Sequence, residues 1–159
     1  MNITTKQITG LLWIIPGLVA FLIALIPTLI YPWPFTFDIF VHIQIAQVYS
    51  HYGFTLIDPL IDPPVGTPIA YPPLFSYLLL FLNSILKIDY FNVARLLQPI
   101  FAGSVVLSTS YVAKKYYGNI AGISAGFLII SSFLFGRLIT PLPETMALIF
   151  VPLVVYAYY

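Results

Sequence analysis

The sequence predicts an all-α, polytopic helical membrane protein. About four transmembrane helices are expected, with juxtamembrane helices in a first extracytoplasmic loop. Three observations carry that expectation. The 159 residues are 60% hydrophobic and only 7% charged, against about 25% charged in a soluble domain. The mean hydropathy is +1.00, so there is too little polar surface for water all round. The apolar residues also fall in long uncharged runs, of which the first, Leu11 to Tyr31, is long enough to cross roughly 30 Å of hydrocarbon.

Composition excludes some functions. A formal net charge of +1 gives no electrostatic attraction to nucleic acid, and no nucleic-acid partner is expected. Without cysteine there is no disulfide, no thiolate metal site and no cysteine nucleophile. The expected surroundings are a lipid bilayer, at the plasma membrane. Aromatic residues make up 17% of the chain, and many tyrosines fall where a bilayer interface would lie.

The first run, LLWIIPGLVAFLIALIPTLIY, is read as a retained span over residues 11–31. It exceeds the roughly 7–15 apolar residues of a signal peptide, and no small-x-small cleavage site precedes Tyr31-Pro32. Pro16 and Pro27 are expected to bend it.

A loop over residues 32–92 follows. Eight of the fourteen prolines lie between Pro32 and Pro73, with three of the five acids (Asp38, Asp58, Asp62) and both histidines (His42, His51). Residues 37–52 lack proline and glycine. They predict a helix with Thr36 as N-cap and Gly53 as its stop. At about 100° per residue, Asp38, His42, Ile45 and Tyr49 form one stripe on it. Asp58 to Pro73 reads as irregular turns, with Asp58 and Asp62 as solvated turn residues.

Leu74 to Leu86 is apolar but short. Further spans are expected over residues 93–113, 120–136 and 145–159. If residues 74–86 span, Lys114-Lys115 lies across the membrane from Lys6. If they lie at the interface, these lysines share one side, as the positive-inside rule prefers. The interfacial arrangement puts Asp38, Arg95, Arg137 and Glu144 on the other side, outside the cytoplasm. Residues 1–159 then form a single membrane module. The chain ends inside a helix and reads as an N-terminal fragment of a larger protein.

The few charges mark where chemistry would sit. Asp38, just beyond the first span, is either a helix-start acid or a carboxylate acting as general base or metal ligand. His42, one turn on, would orient it. Arg95 opens a span and either snorkels to headgroups or holds a lipid phosphate. Arg137 and Glu144 flank Pro141 and Pro143, and the bland reading of them is a surface ion pair. Tyr71-Pro72-Pro73-Leu74 is a rigid lead-in to the next helix.

In this order the motifs resemble the N-terminal part of the GT-C glycosyltransferases. These are multi-spanning enzymes that use lipid-phosphate-linked sugars, and they include protein mannosyltransferases, aminoarabinose transferases and oligosaccharyltransferases. The resemblance runs from Leu11 to about Phe150. It implies that Asp38 is the first-loop catalytic acid and Glu144 the second-loop acid, with His42 assisting. By the same resemblance, Arg95 matches the arginine near the donor phosphate of a polyprenyl-phosphate sugar and Tyr71-Pro72-Pro73-Leu74 the entry to a juxtamembrane helix, and the expected reaction adds Arg137 at that phosphate and Tyr71 as a substrate contact. A divalent cation, Mg²⁺ or Mn²⁺, would have Asp38 and Glu144 as ligands. One departure stands out: Pro143-Glu144-Thr145 occupies the place of the oligosaccharyltransferase Asp-x-Asp. The remainder of a larger chain, or partner subunits, would complete the site. A small structural subunit of a membrane complex and part of a transporter are the alternatives. A transporter would need ionisable residues in mid-span, and the spans hold almost none.

Overall fold

The computed structural model describes residues 10–159, so Lys6 lies outside the described residues. The protein is mostly helical. A 3₁₀ turn, Leu12–Ile14, leads into α1 (Ile15–Ile30). The first loop holds α2 (Ile39–Tyr52), a strand pair β1 (Ile57–Asp58) and β2 (Thr67–Pro68), and α3 (Pro73–Leu86). Then come α4 (Tyr90–Tyr117), α5 (Asn119–Ser131), the short α6 (Leu134–Leu138) and α7 (Pro143–Tyr158).

The long α4 is the centre of the molecule. Asp89 caps its start, with Oδ1 accepting from the backbone N–H of Asn92 at 2.9 Å. Lys114 and Lys115 occupy its last turn, where cations favour the helix dipole. Gly118, at φ +91°, stops it in a conformation that side chains disfavour. Its 28 residues span about 42 Å, more than a bilayer core requires.

Helix α1 runs antiparallel to α4 along a stripe of small buried residues, Gly17, Ala20, Ala24 and Thr28. The approach is close: a Cβ on Gly17 would fall 2.2 Å from Leu107 Cγ. Helix α5 packs the same way. A Cβ on Gly126 would lie 2.3 Å from Ser110 Oγ and 2.5 Å from Pro16 Cβ. Small residues thus replace interlocking large ones between the helices. The large apolar residues of α1 and α7 (Leu18, Leu22, Ile26, Leu29; Phe150, Val151, Val154) face outward. That distribution suits lipid as solvent.

Two apolar clusters sit at different levels of α4. Ile39, Ile43 and Ala46 of α2 and Phe75 and Leu79 of α3 pack on Val93, Ala94, Leu97 and Phe101. Further along, Ala20, Ala24, Ala102, Val105 and Val106 meet Phe135 and Leu138. The first-loop helices are thus packed onto the N-terminal part of the central helix.

Several sequence expectations need adjustment. Among the described residues only two helical segments, Leu12–Ile30 and Tyr90–Tyr117, have the length and composition to cross a membrane. Helices α5 and α7, at 13 and 16 residues, reach about 20 and 24 Å. The expected span over 120–136 breaks after Ser131. The Oγ atoms of Ser131 and Ser132 donate to the carbonyls of Leu128 and Ile129, competing with helix continuation. The stretch expected to be irregular contains the antiparallel pair β1–β2, with Ile57 opposite Pro68 and Asp58 opposite Thr67. Asp58 is not a solvated turn residue. It is 4% exposed, and its carboxylate accepts from Gln44 Nε2 and from the N–H of Leu60, both at 2.8 Å.

Candidate functional site

At the level of the first-loop helices, a cavity of about 260 Å³ is lined by Asp38, His42, Tyr71, Pro72, Leu142, Pro143 and Glu144. Three separate chain segments form it: the start of α2, the lead-in to α3 and the lead-in to α7. Each is fixed by local backbone chemistry.

Asp38 immediately precedes α2, and its backbone N–H donates to Thr36 Oγ1 at 3.3 Å. The helix itself starts at Ile39 with Asp38 at the N-cap position, so Thr36 holds the turn before the helix and is not its cap. Asp38 itself is exposed. His42 is only 3% exposed, one turn further along the same stripe. Its ring meets Tyr71 and Phe75 edge-on, at 4.9 and 5.2 Å between centroids. Burial pushes the His42 pKa below its usual 6.5, and the charge of Asp38 only partly offsets this. The imidazole is therefore neutral at neutral pH. Its Nδ1 finds no partner among the described residues, so any influence on Asp38 is through charge and packing.

Pro73 is the first residue of α3, where its missing N–H costs nothing. Pro72 holds the chain extended before it and sets Tyr71 on the cavity wall. Pro143 plays the same part for α7 and places Glu144 in the first turn, where a carboxylate favours the dipole. Buried Thr145 donates from Oγ1 to the carbonyl of Thr140 at 3.0 Å, closing the turn behind Glu144. Arg137 Nη2 lies 3.2 Å from Glu144 Oε1, with both side chains more than half exposed.

Asp38, His42, Tyr71 and Glu144 are thus brought together, and Arg137 stands beside them through its ion pair. Arg95 is not on this cavity. Its Nη2 donates to the carbonyl of Thr28 at 2.6 Å and its Nη1 to Asn92 Oδ1 at 2.9 Å. Sequence reasoning missed Leu142 and buried Gln98. The only signal for the latter was a lone amide in an apolar span.

The cavity combines two carboxylates, a neutral imidazole and a phenol. A carboxylate can take a proton from an incoming nucleophile, and the guanidinium beside Glu144 can meet an anion. Its fit to a divalent cation is incomplete. No group of three His, Asp or Glu residues is placed to hold a metal among the described residues, and Glu144 already pairs with Arg137. Proton transfer and anion binding are the chemistry that these side chains supply themselves.

No curated protein and no solved structure matches the chain. The family model for the oligosaccharyl transferase STT3, N-terminal, matches residues 46–157. Tyr71, Arg95, Arg137 and Glu144 fall inside that match, and Asp38 and His42 just before it. The match covers well over half of the chain and brings with it a membrane-integral glycosyltransferase family of GT-C type. The chain belongs to the oligosaccharyl transferase STT3 family.

Proposed function

We propose that the cavity of Asp38 and Glu144 takes part in moving a sugar from a polyprenyl-phosphate-linked donor to an acceptor outside the cytoplasm. The observation that carries this is the convergence of two carboxylates, far apart in sequence, on one cavity beside a guanidinium. Asp38 is exposed and unpaired by any cation among the described residues, so it is the general base for the acceptor nucleophile. Glu144 orients the acceptor. Arg137 neutralises the phosphate of the donor as the sugar leaves. Tyr71 and the neutral His42 give the wall on which the substrate rests. Arg95 spends its terminal nitrogens on Thr28 and Asn92 and acts on the site from behind.

The antiparallel helices support the orientation proposed here. Lys114 Nζ donates to the carbonyl of Gly10 at 2.9 Å, so the lead-in to α1 and the basic end of α4 share one level. The cavity belongs to the other end. With the lysines facing the cytoplasm, the first loop is extracytoplasmic. The chain runs from the basic end of α4 back to the cavity through α5 and α6 together and returns through α7, whose Tyr156 packs on Tyr116. These two passages make the other two spans, with α3 at the interface. The remainder of a larger chain, or partner subunits, closes the donor side.

Asp38→Asn tests the reading directly. The amide keeps the shape but cannot take a proton. Sugar transfer measured in membranes with a polyprenyl-phosphate sugar should fall about 10²–10⁴-fold, with expression unchanged. Near-normal turnover would leave Asp38 as a helix-start acid and nothing more.

A further inference from the structure

Helix α1, like any helix, ends with carbonyls that lack an intrahelical partner. The carbonyl of Thr28 would normally accept from the N–H four residues on. That residue is Pro32, which has no N–H. The guanidinium of Arg95, reaching across from α4, donates to this carbonyl instead, at 2.6 Å.

A second side chain on the same face of α4 continues the grip. Gln98 is 1% exposed within an otherwise apolar interface. Its Nε2 donates to Thr28 Oγ1 at 2.9 Å, and Thr28 Oγ1 in turn donates to the carbonyl of Ala24 at 3.0 Å. Its Oε1 accepts from the backbone N–H of Phe35 at 2.7 Å. Both ends of the amide are therefore used, one on the last turn of α1 and one on the loop that leaves it. Arg95 is steadied in the same way. Its Nη1 donates to Asn92, whose side chain and backbone N–H both bond the capping carboxylate of Asp89. Hydrogen bonds thus link Asp89, Asn92 and Arg95 up the first turns of α4, and Arg95 and Gln98 meet on Thr28.

We infer that Gln98, supported by Arg95, is a positioning residue that fixes the exit of the first span and thereby the place of Asp38 on the cavity. Phe35 is three residues before Asp38, and the intervening residues reach α2 without regular structure. The lead from α1, stiffened by Pro32 and Pro34, can swing as a unit about its base, and only Thr36 and Phe37 separate Phe35 from Asp38. Gln98 holds the base. An amide buried in a membrane span needs every bond it makes, and here the bonds go to the last turn of α1 and the loop that leaves it rather than to a ligand. The inference rests on the assignment of Asp38 as the base.

The test uses Gln98→Leu, with a nitroxide label attached at position 37 in one preparation and unlabelled protein for kinetics. Phe37 is 87% exposed, so a label there reports the lead without entering the core. The label should be immobile in the parent and mobile in Gln98→Leu. Turnover should fall about 10- to 100-fold, since small misplacements of a catalytic group carry costs of that order. The KM for the polyprenyl-phosphate sugar should stay unchanged, which general unfolding would not produce. Gln98→Asn keeps a buried amide but withdraws it from Phe35, and it serves equally if the leucine variant does not fold. A label that stays immobile in both variants overturns the inference, and so does full turnover with a mobile label. Asp38→Asn separates the two failures: turnover surviving that change overturns the reading of Asp38, whatever the label does.

Discussion

The guanidinium of Arg137 lies 3.2 Å from the carboxylate of Glu144, bridging the Pro141–Pro143 turn at the edge of the cavity. The two residues are brought together by the end of α6 and the start of α7. Both side chains are more than half exposed, so the pair contributes less than about 1 kcal/mol to stability. The role proposed for it lies in the site instead. Arg137→Ala should raise the KM for a polyprenyl-phosphate sugar about tenfold while the thermal midpoint stays nearly constant, because a charge-assisted phosphate contact is lost. Glu144→Gln should lower turnover more than it raises that KM. A melting curve and a donor titration on each variant check both statements. A large drop in thermal midpoint would make the pair structural.

His42 provides a pH dependence. Burial holds its folded pKa below 6.5, so the unfolded chain binds the proton more readily. The stabilising effect of keeping it neutral is therefore complete above about pH 6.5 and is lost as the pH falls below that value. Asp38, Tyr71 and Glu144 share the cavity with it. Thermal midpoints measured from pH 7.5 down to about 5 should decline in the parent. They should decline less in His42→Phe, whose ring keeps the contacts with Tyr71 and Phe75 but carries no titrating group. Identical slopes in the two proteins would place the acid sensitivity elsewhere.

Asp58 ties the strand pair to α2 through Gln44. Asp58→Ala would strand the Gln44 amide and the N–H of Leu60, at about 1–3 kcal/mol. The loop between Gly53 and Pro72 should then be cut faster by a soluble protease, and the thermal midpoint should drop. Asp58→Asn should do less, since its carbonyl can still accept one of the two bonds. Unchanged cleavage in Asp58→Ala would show that the loop is held by other contacts.

The orientation can be read with an impermeant maleimide in intact cells. Asp62 is exposed at the tip of the first loop, and Lys115 is exposed at the far end of α4. D62C should react from outside, and K115C only after the membrane is opened. Labelling of both from outside would invert or abolish the arrangement proposed above.

The residues by themselves determined that the chain is helical and lives in lipid. Sixty per cent hydrophobic composition leaves no other solvent for it, and uncharged runs such as Leu11 to Tyr31 make helices, the structure that satisfies its own backbone. Proline marked the start of α3 and Gly53 the end of α2, because those residues act locally through φ and the missing N–H. The resemblance drawn from motif order agrees with the family match over residues 46–157.

Only the tertiary structure decided which charges meet. Nothing local to Asp38 or Glu144 reports that they share a cavity, since that depends on α2 and α7 both packing around α4. The same holds for Arg95. Its place at the start of a span suggests a phosphate ligand, but the carbonyl it serves is on α1, left unsatisfied by a proline. Asp58 has a surface residue's neighbours in sequence and a buried residue's partners in space. Hydrogen bonds between distant segments are made by side chains whose sequence spacing carries no period, so no pattern along the chain announces them.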